Sequence, residues 1–397
     1  MSQDAPSRAW IVPIAGLLAI TFTICTAELV IAGLLPTLAA DLGVDIPTAG
    51  LLITGYAIGV AIAGPVLAVA TGKVPRKTLL LAILAVFIVG NILCAIAPGY
   101  GMLLTARLVM SACHGLFFGV AMVLATRLAP PDRKATAVSL VVAGVTIAII
   151  VGVPIGTAIG NAFGWRTTFW ATAGAGAIAS LIVAWLIPGS TDKEPEPQHN
   201  LKAELRAAVR PIVLLCYANF AIPLVAFFAM LSYAVPFLMD EGGVPLDMIP
   251  YVLFATGVAS FLGTLIGGRL ADWSPGFTLI GVTAGCTILL LLLWAFAANA
   301  WASITVMCLL WLVAFAYPPP LQSRAIREAG DAPGLTATMM NTASQIGIAG
   351  GAAFGALIIS SGGSYAQIPL LSAIFYALGL VGVLVLVGLD RRRPAGA

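Results

Sequence analysis

Charged residues are scarce in this sequence, and their scarcity excludes a soluble globular chain. They make up 9% of the 397 residues, while hydrophobic residues make up 60%; a soluble domain carries about 25% charged residues. Apolar runs long enough to cross a bilayer, at about 20 residues each, recur along the chain. We predict an all-α membrane protein with twelve transmembrane helices, at residues 12–36, 49–71, 78–97, 102–126, 135–158, 167–187, 211–236, 249–271, 278–298, 302–323, 334–358 and 367–388.

Motifs that carry enzyme or metal chemistry are also lacking. No nucleophile–base–acid set can be assembled, so an enzyme is not expected. The six cysteines, at 25, 94, 113, 216, 286 and 308, include no CxxC pair and no histidine at metal-ligand spacing. This pattern predicts neither a disulfide framework nor a metal site, and we interpret the thiols as small packing groups. The absence of a Walker-type Gly-x-x-x-x-Gly-Lys-Ser/Thr loop favours secondary over ATP-driven transport.

Basic residues are concentrated on one side of the predicted spans. If the N-terminus is inside, seventeen of the nineteen Lys and Arg residues fall on the inner side; Arg166 lies in an outer loop and Arg107 within a span. The positive-inside rule then places both termini in the cytoplasm. The basic clusters contain no interspersed aromatic residues and no nucleic-acid recognition motif. We therefore interpret them as determinants of membrane topology and expect no nucleic-acid partner.

One long polar stretch divides the chain into two halves. We predict an N-terminal six-helix half at 1–187, a cytoplasmic linker at 188–210 and a C-terminal six-helix half at 211–397. The linker is interpreted as a flexible segment followed by a short amphipathic surface helix, or as a solvated tether without further role. The halves match at an offset of 200 residues, for example Gly43-Val44 with Gly243-Val244 and Arg127 with Arg327. Two pseudo-symmetric halves of this kind bind substrate near the membrane midplane.

Small residues recur at every fourth position in four predicted helices. Such ladders let helices approach closely, so we predict that helices two, five, eight and eleven form the seam on which the halves rock. The alternative is that these glycines face lipid. The ladders are Gly55, Gly59 and Ala63; Gly144, Ala148, Gly152, Gly156 and Gly160; Ala255, Ala259, Gly263, Gly267 and Ala271; and Ala343, Gly347, Gly351 and Gly355.

A single carboxylate, Glu28, lies inside an apolar span. A charge at that depth costs about 2.5–3.5 kcal/mol, so it indicates function by default. Glu28 lies roughly 12 Å below the outer end, between Arg107 at about 8 Å and His114 at about 18 Å, and these two share one face of the fourth span. We predict proton coupling by Glu28, Arg107 and His114. Alternatively, Glu28 and Arg107 form a permanent structural pair, and His114 only bonds a backbone or hydroxyl group.

The second half offers no comparable charge. Phe228 lies 200 residues after Glu28, and an aromatic and amide wall suits a neutral or weakly cationic amphipathic substrate. Taken singly, each aromatic residue is as readily explained as a lipid-facing or core group. The Pro318-Pro319-Pro320 run predicts a break in helix ten, as a hinge or a static kink. The predicted substrate-binding residues are Glu28, Tyr56, His114, Asn219, Phe228, Asn341 and Gln345.

Two motifs make the chain resemble the major facilitator superfamily, and within it the twelve-helix drug:proton antiporters of the sugar, arabinose and chloramphenicol efflux branch. The first runs from Thr26-Ala27-Glu28 to Pro36, and the second is Gly152-Val153-Pro154-Ile155-Gly156-Thr157. The second resembles the antiporter motif of helix five, with Gly144, Gly152, Pro154 and Gly156 on the matching positions. In that family the motif accompanies export.

Further motifs of the family are present in altered form. The segment Arg107–Gly115 resembles the helix-four motif in its Arg and final Gly, with Met110 and Ser111 at the usual Gln and Gly. The resemblance implies a role for Arg107 in proton transfer or in setting the pKa of the carboxylate. In the loop after helix two, Gly72 replaces the acidic position of the family's gating motif. The second half retains that position as Asp272, either as a gating latch or as a solvated aspartate.

The resemblance and the residues together predict a proton-coupled secondary exporter of small drugs or sugars that works by alternating access. The alternative is an uncoupled facilitator or a proton symporter for a small neutral solute such as a sugar or nucleoside. A carboxyl group in an apolar cavity takes up a proton more readily than in water, and a nearby cation opposes this. We expect a monomer in the inner membrane whose partners are lipid, substrate and protons, with no cofactor.

Overall fold

The computed structural model describes residues 10–71, 74–130, 133–187, 206–330 and 333–391. Among these residues, twelve helices have the length and composition to cross a membrane, which confirms the predicted spans to within a few residues. They are α1 (Ile11–Leu42), α2 (Ile46–Ala70), α3 (Arg76–Ala95), α4 (Tyr100–Leu128), α5 (Lys134–Ile147, Ala148–Gly152 and Val153–Phe163), α6 (Trp165–Leu186), α7 (Pro211–Ser232), α8 (Ile249–Trp273), α9 (Pro275–Ala295), α10 (Ala300–Ala314 and Pro318–Ala329), α11 (Pro333–Ser360) and α12 (Gln367–Arg391). Short turns at Ala234–Pro236, Phe237–Glu241 and Leu246–Met248 link α7 to α8.

Two of the spanning helices change geometry along their length. In α5 the five residues Ala148–Gly152 are π-helical. In α10 the helix stops at Ala314 and resumes at Pro318, because a proline cannot donate a backbone hydrogen bond. The predicted break in helix ten is therefore confirmed. The hydroxyl of Tyr317, at the break, donates to the carbonyl oxygen of Asn219 at 2.8 Å.

The internal repeat has a backbone counterpart in two turns that follow equivalent helices. Gly43 has a φ of 64° and Gly243 a φ of 66°, a conformation that glycine adopts without the steric cost of a side chain. The matching Gly-Val pairs of the sequence are therefore matching left-handed turns.

By their internal contacts, the described residues form two compact units. The first unit draws on Met1–Ile31 and Ile62–Pro197, and the second on Ala32–Ala61 and Gln198–Ala397. The second unit thus includes residues 32–61 in addition to the predicted C-terminal half. Most of the predicted linker, 188–205, lies outside the described residues.

The glycine ladder of α5 packs on α1, within the first unit. Gly144 faces the carbonyl oxygen of Leu18, and Gly156 faces Val30. The sequence interpretation paired this ladder with helix eight at a seam between the halves. That assignment is wrong for these glycines, because the space above them is filled by a helix of the same unit.

The ladders of the second unit are likewise used within that unit. Gly263 of α8 meets the backbone of Leu312 in α10, and Gly351 of α11 meets the backbone of Val225 in α7. Glycine has no Cβ, so it permits this approach of two helix backbones. The seam assignment is wrong for these two ladders as well, because their close contacts hold helices of one unit together.

Candidate functional site

Glu28 lies in the middle of α1, in the first unit, and its side chain is 12% exposed. Helix α5 packs against α1 both before and after Glu28 in the sequence, because Gly152 faces Thr26 and Gly156 faces Val30. The hydroxyl of Thr26 donates to the carbonyl oxygen of Phe22 at 2.7 Å, which satisfies it within the helix. The antiporter-like glycines therefore fix the segment of α1 that carries the carboxylate.

His114 of α4 approaches the carboxylate. Its Nδ1 lies 3.7 Å from Oε2 of Glu28, and the imidazole is 2% exposed. The ring also lies 5.5 Å from the ring of Phe118, one turn along the same helix. A partly buried acid and a fully buried base thus lie side by side, next to an aromatic ring.

Arg107 is fully buried and anchors the backbone of α1. Its Nη1 donates to the carbonyl oxygen of Ala27 at 3.1 Å, and its Nη2 donates to the carbonyl oxygen of Glu28 at 3.3 Å. The predicted neighbourhood of Arg107, His114 and Glu28 is therefore present. These two hydrogen bonds join Arg107 to the peptide groups beside the carboxylate, while His114 approaches the carboxylate itself.

One oxygen of the carboxylate is available to a ligand. Within the described structure, Oε1 of Glu28 is buried and has no hydrogen-bond partner. Leaving a buried charged acceptor unsatisfied is costly, and such a group in a native structure calls for an explanation such as an unseen ion, water or ligand. A proton or a donor group of a substrate would satisfy this oxygen.

Cys25 joins Glu28 and His114 in a cluster of potential metal ligands. One ligand atom from each residue lies within 4.8 Å of the others. The sequence interpretation found no histidine at metal-ligand spacing, because His114 is on another helix and 86 positions separate it from Glu28 in the chain. The only sequence signal was that Cys25 and Glu28 are three residues apart, which places them on one face of a helix.

The predicted substrate residues of the second unit have different environments. Asn219 is 3% exposed; its Nδ2 donates to the carbonyl oxygen of Leu215 and its amide faces Gly382 of α12. Its amide therefore packs against α12, while its Oδ1 has no hydrogen-bond partner among the described residues. The ring of Phe228 is half-buried and lies 5.5 Å from that of Phe227.

Gln345 and Asn341 lie one turn apart on α11. Gln345 is 5% exposed, and its Oε1 has no hydrogen-bond partner among the described residues, whereas Asn341 is exposed. Tyr56 of α2 is almost fully buried, and Asp272 is exposed near the end of α8. Among the predicted residues of the second unit, Asn219 and Gln345 each have a buried amide oxygen without a hydrogen-bond partner in the described structure.

Comparison with known proteins identifies the family of this chain. A sequence profile of the Major Facilitator Superfamily matches residues 17–352. The inner membrane transport protein YdhP of Escherichia coli (strain K12) is 35% identical over 93% of this chain and 94% of its own length. The chloramphenicol resistance protein of Streptomyces lividans is 31% identical over 82% of this chain and 83% of its own. A probable sugar efflux transporter of Haemophilus influenzae (strain 86-028NP) is 30% identical over 92% of this chain and 89% of its own length.

A solved structure supports the same fold. The bacterial homologue of the human lysosomal transporter Spinster, in its inward-facing and occupied conformation, has a TM-score of 0.74 at 17% identity and covers 99% of this chain and 100% of its own. At that identity the likeness concerns the fold alone. With twelve spans and inner-membrane relatives, the chain is a multi-pass protein of the inner membrane and not an enzyme. It is a transporter that belongs to the Major Facilitator Superfamily.

Proposed function

We propose that this transporter is a proton-coupled exporter of small drugs or sugars. The observation that carries the proposal is the buried pair of Glu28 and His114, with Oε1 of the carboxylate unpartnered in the described structure. An ionisable pair inside a membrane span is costly to maintain and marks proton and substrate pathways. The resemblance of α5 to the antiporter motif supports export as the direction.

The carboxylate of Glu28 would bind the proton, and His114 would share or accept it. Nδ1 of His114 lies 3.7 Å from Oε2, so a small movement of either side chain brings them within hydrogen-bond distance. Arg107 keeps a fixed positive charge beside the pair through its bonds to Ala27 and Glu28.

Competition between proton and substrate couples the two fluxes. If a substrate group occupies Oε1 of Glu28 only when the carboxylate is deprotonated, each ligand weakens binding of the other by the same factor. Alternating access then converts the inward proton gradient into export. Independently of this coupling, we also propose Gln345 and Phe228 as substrate-binding residues within the second unit, because an amide and an apolar ring suit a neutral or weakly cationic molecule.

The test combines growth and proton release. A host that lacks its own exporters would carry wild type, Glu28→Gln, or the control Asp247→Asn, which removes an exposed carboxylate. The panel would contain chloramphenicol-type drugs, arabinose, thiogalactosides and nucleosides. We expect wild type and Asp247→Asn to protect against the same compounds and Glu28→Gln to protect against none.

Substrate-induced proton release separates coupled from uncoupled transport. A compound from the panel would be added to the purified protein in weakly buffered detergent. Wild type should release protons and Glu28→Gln should not. Resistance that survives Glu28→Gln would remove Glu28 as the coupling group, and transport without any proton release would identify an uncoupled facilitator.

A further inference from the structure

We infer that Cys25, Glu28 and His114 form a binding site for a thiophilic divalent metal ion of the Zn²⁺ and Cd²⁺ type. The three side chains come from α1 and α4 and offer a thiol sulfur, a carboxylate oxygen and an imidazole nitrogen. Sulfur, nitrogen and oxygen donors of this kind are the ligands that Zn²⁺ uses in proteins, and the thiolate selects against Mg²⁺ and Ca²⁺.

The spacing of the ligand atoms is close to what the ion requires. Tetrahedral Zn²⁺ with bonds of about 2.0–2.3 Å holds its ligand atoms about 3.3–3.8 Å apart. Nδ1 of His114 and Oε2 of Glu28 lie 3.7 Å apart, and all three ligand atoms lie within 4.8 Å of one another. The sulfur of Cys25 would lie about 3.5 Å from the other two ligand atoms, so binding needs an approach of about 1.3 Å at most, within the reach of a side-chain rotation.

Charge and coordination number favour a reversible site. On binding the ion, the thiol of Cys25 would release its proton to solvent, and the resulting thiolate and the carboxylate together would balance the two charges of the ion. The buried guanidinium of Arg107, bonded to the Ala27 and Glu28 carbonyl oxygens, opposes binding. Three protein ligands leave a fourth position open, as in sites that exchange a water or a ligand. Such an ion would occupy the site from solution without being a structural part of the fold.

Occupation of the site would block transport. The ion would use the carboxylate and imidazole that bind the proton, so this consequence rests on the proposed function, while metal binding itself does not. Binding and transport are therefore measured separately.

The binding experiment uses Cd²⁺ as the probe. Purified full-length protein in detergent at fixed pH would be titrated with Cd²⁺, and the thiolate-to-metal absorption band in the ultraviolet would be followed. We expect one saturable site in wild type. Cys25→Ser should abolish the band, and Glu28→Gln or His114→Gln should weaken binding at least about tenfold, since even outer-shell changes cost about 10–100-fold in affinity.

A matched control is available in Cys286→Ser. Cys286 lies in α9 and is as buried as Cys25, so the same substitution there should leave the band and the affinity unchanged. A band that persists in Cys25→Ser, or an affinity unchanged in both Glu28→Gln and His114→Gln, would overturn the assignment. Because serine is nearly isosteric with cysteine, elution as a single species and an unchanged melting temperature would confirm that Cys25→Ser is folded.

Block of transport is the second measurement. Zn²⁺ at a saturating concentration should stop substrate flux in liposomes containing wild type and leave flux unchanged in Cys25→Ser. Binding without block would leave the metal site in place and would contradict the assignment of Glu28 and His114 to coupling. Block that is equal in Cys25→Ser would contradict the site.

Discussion

The two units of the molecule share a packing scheme but differ in chemistry. In the first unit the glycines of α5 pack on α1, and in the second the glycines of α11 pack on the matching helix α7. The site residues have no ionisable counterpart in the repeat. At the offset of 200, Glu28, Arg107 and His114 correspond to Phe228, Met307 and Ala314.

All three counterparts are apolar, and two of them are buried. Met307 is 1% exposed and Ala314 is 7% exposed, and the ring of Phe228 packs on Phe227. A charge inside a membrane must be compensated wherever it occurs. The difference teaches that the repeat preserves helix packing, while the ionisable site is confined to one unit.

The largest effect is expected when Arg107 is replaced by methionine, the residue that the second unit has at the equivalent position, Met307. Arg107→Met should destabilise the protein by about 3 kcal/mol or more, because it removes two hydrogen bonds from a charged donor, each contributing about 1.5–3 kcal/mol. Substrate flux driven by a pH gradient should be lost. Thermal unfolding in detergent and flux in liposomes would be measured.

The control for this change is Met307→Leu in the second unit. It conserves the volume of a buried side chain and should cost less than about 1.5 kcal/mol, with flux retained. If Met307→Leu were as damaging as Arg107→Met, the distinction between the units would fail.

Close packing of the glycines gives the second largest expected effect. An added Cβ at Gly351 would lie 2.5 Å from the carbonyl oxygen of Val225 and 2.7 Å from the amide nitrogen of Ala229, both backbone atoms. At Gly152 the obstacle is mainly the side chain of Thr26, which can rotate. Gly351→Ala should therefore lower the free energy of unfolding by about 1–3 kcal/mol, and more than Gly152→Ala does.

Two measurements distinguish packing from coupling in this pair. Gly351→Ala should lower the melting temperature and the yield of folded protein. Gly152→Ala should have a smaller effect on stability but should slow flux, because Thr26 lies two residues from Glu28. Equal melting temperatures for the two variants would contradict this prediction, because they would show that both glycine positions accommodate an added methyl group equally well.

Much of the fold was predictable from the sequence, because span length and hydropathy are local properties. The break at Pro318 followed from the missing backbone donor, and the turns at Gly43 and Gly243 followed the repeat. The partners of the glycine ladders were not predictable. A ladder shows that some helix approaches closely, but which helix does so depends on the arrangement of the whole unit.

The candidate site was predictable in membership but not in detail. Helical depth placed Glu28 between Arg107 and His114, yet depth does not determine whether a guanidinium meets a carboxylate or a carbonyl oxygen. Cys25 was interpreted as a packing residue, because only the contact of α1 with α4 brings a histidine to it. The packing of α12 against the amide of Asn219 was likewise not predictable, because it depends on a helix that lies far away in the sequence.

Removing the imidazole should have an intermediate effect. His114→Ala introduces the residue that the second unit has at the equivalent position, Ala314. It removes the imidazole nitrogen that lies 3.7 Å from Oε2 of Glu28. We expect flux driven by a pH gradient to fall about tenfold, equivalent to about 1.4 kcal/mol, with little change in stability. His114→Gln, which retains hydrogen bonding but cannot carry a charge, should fall equally. Full recovery in His114→Gln would show that the residue acts only as a hydrogen-bonding group.

The smallest expected effect concerns the second unit's own contribution to binding. Gln345→Ala removes one neutral hydrogen bond, a loss of about 0.5–1.5 kcal/mol, so the KM for export should rise about two- to tenfold while proton release per substrate is unchanged. Ser360→Ala, at the exposed C-terminal end of the same helix, is the matched control and should leave KM unaltered. A drop in proton release with Gln345→Ala would show that coupling is spread over both units, because an uncharged amide can change the coupling only by moving the group that binds the proton.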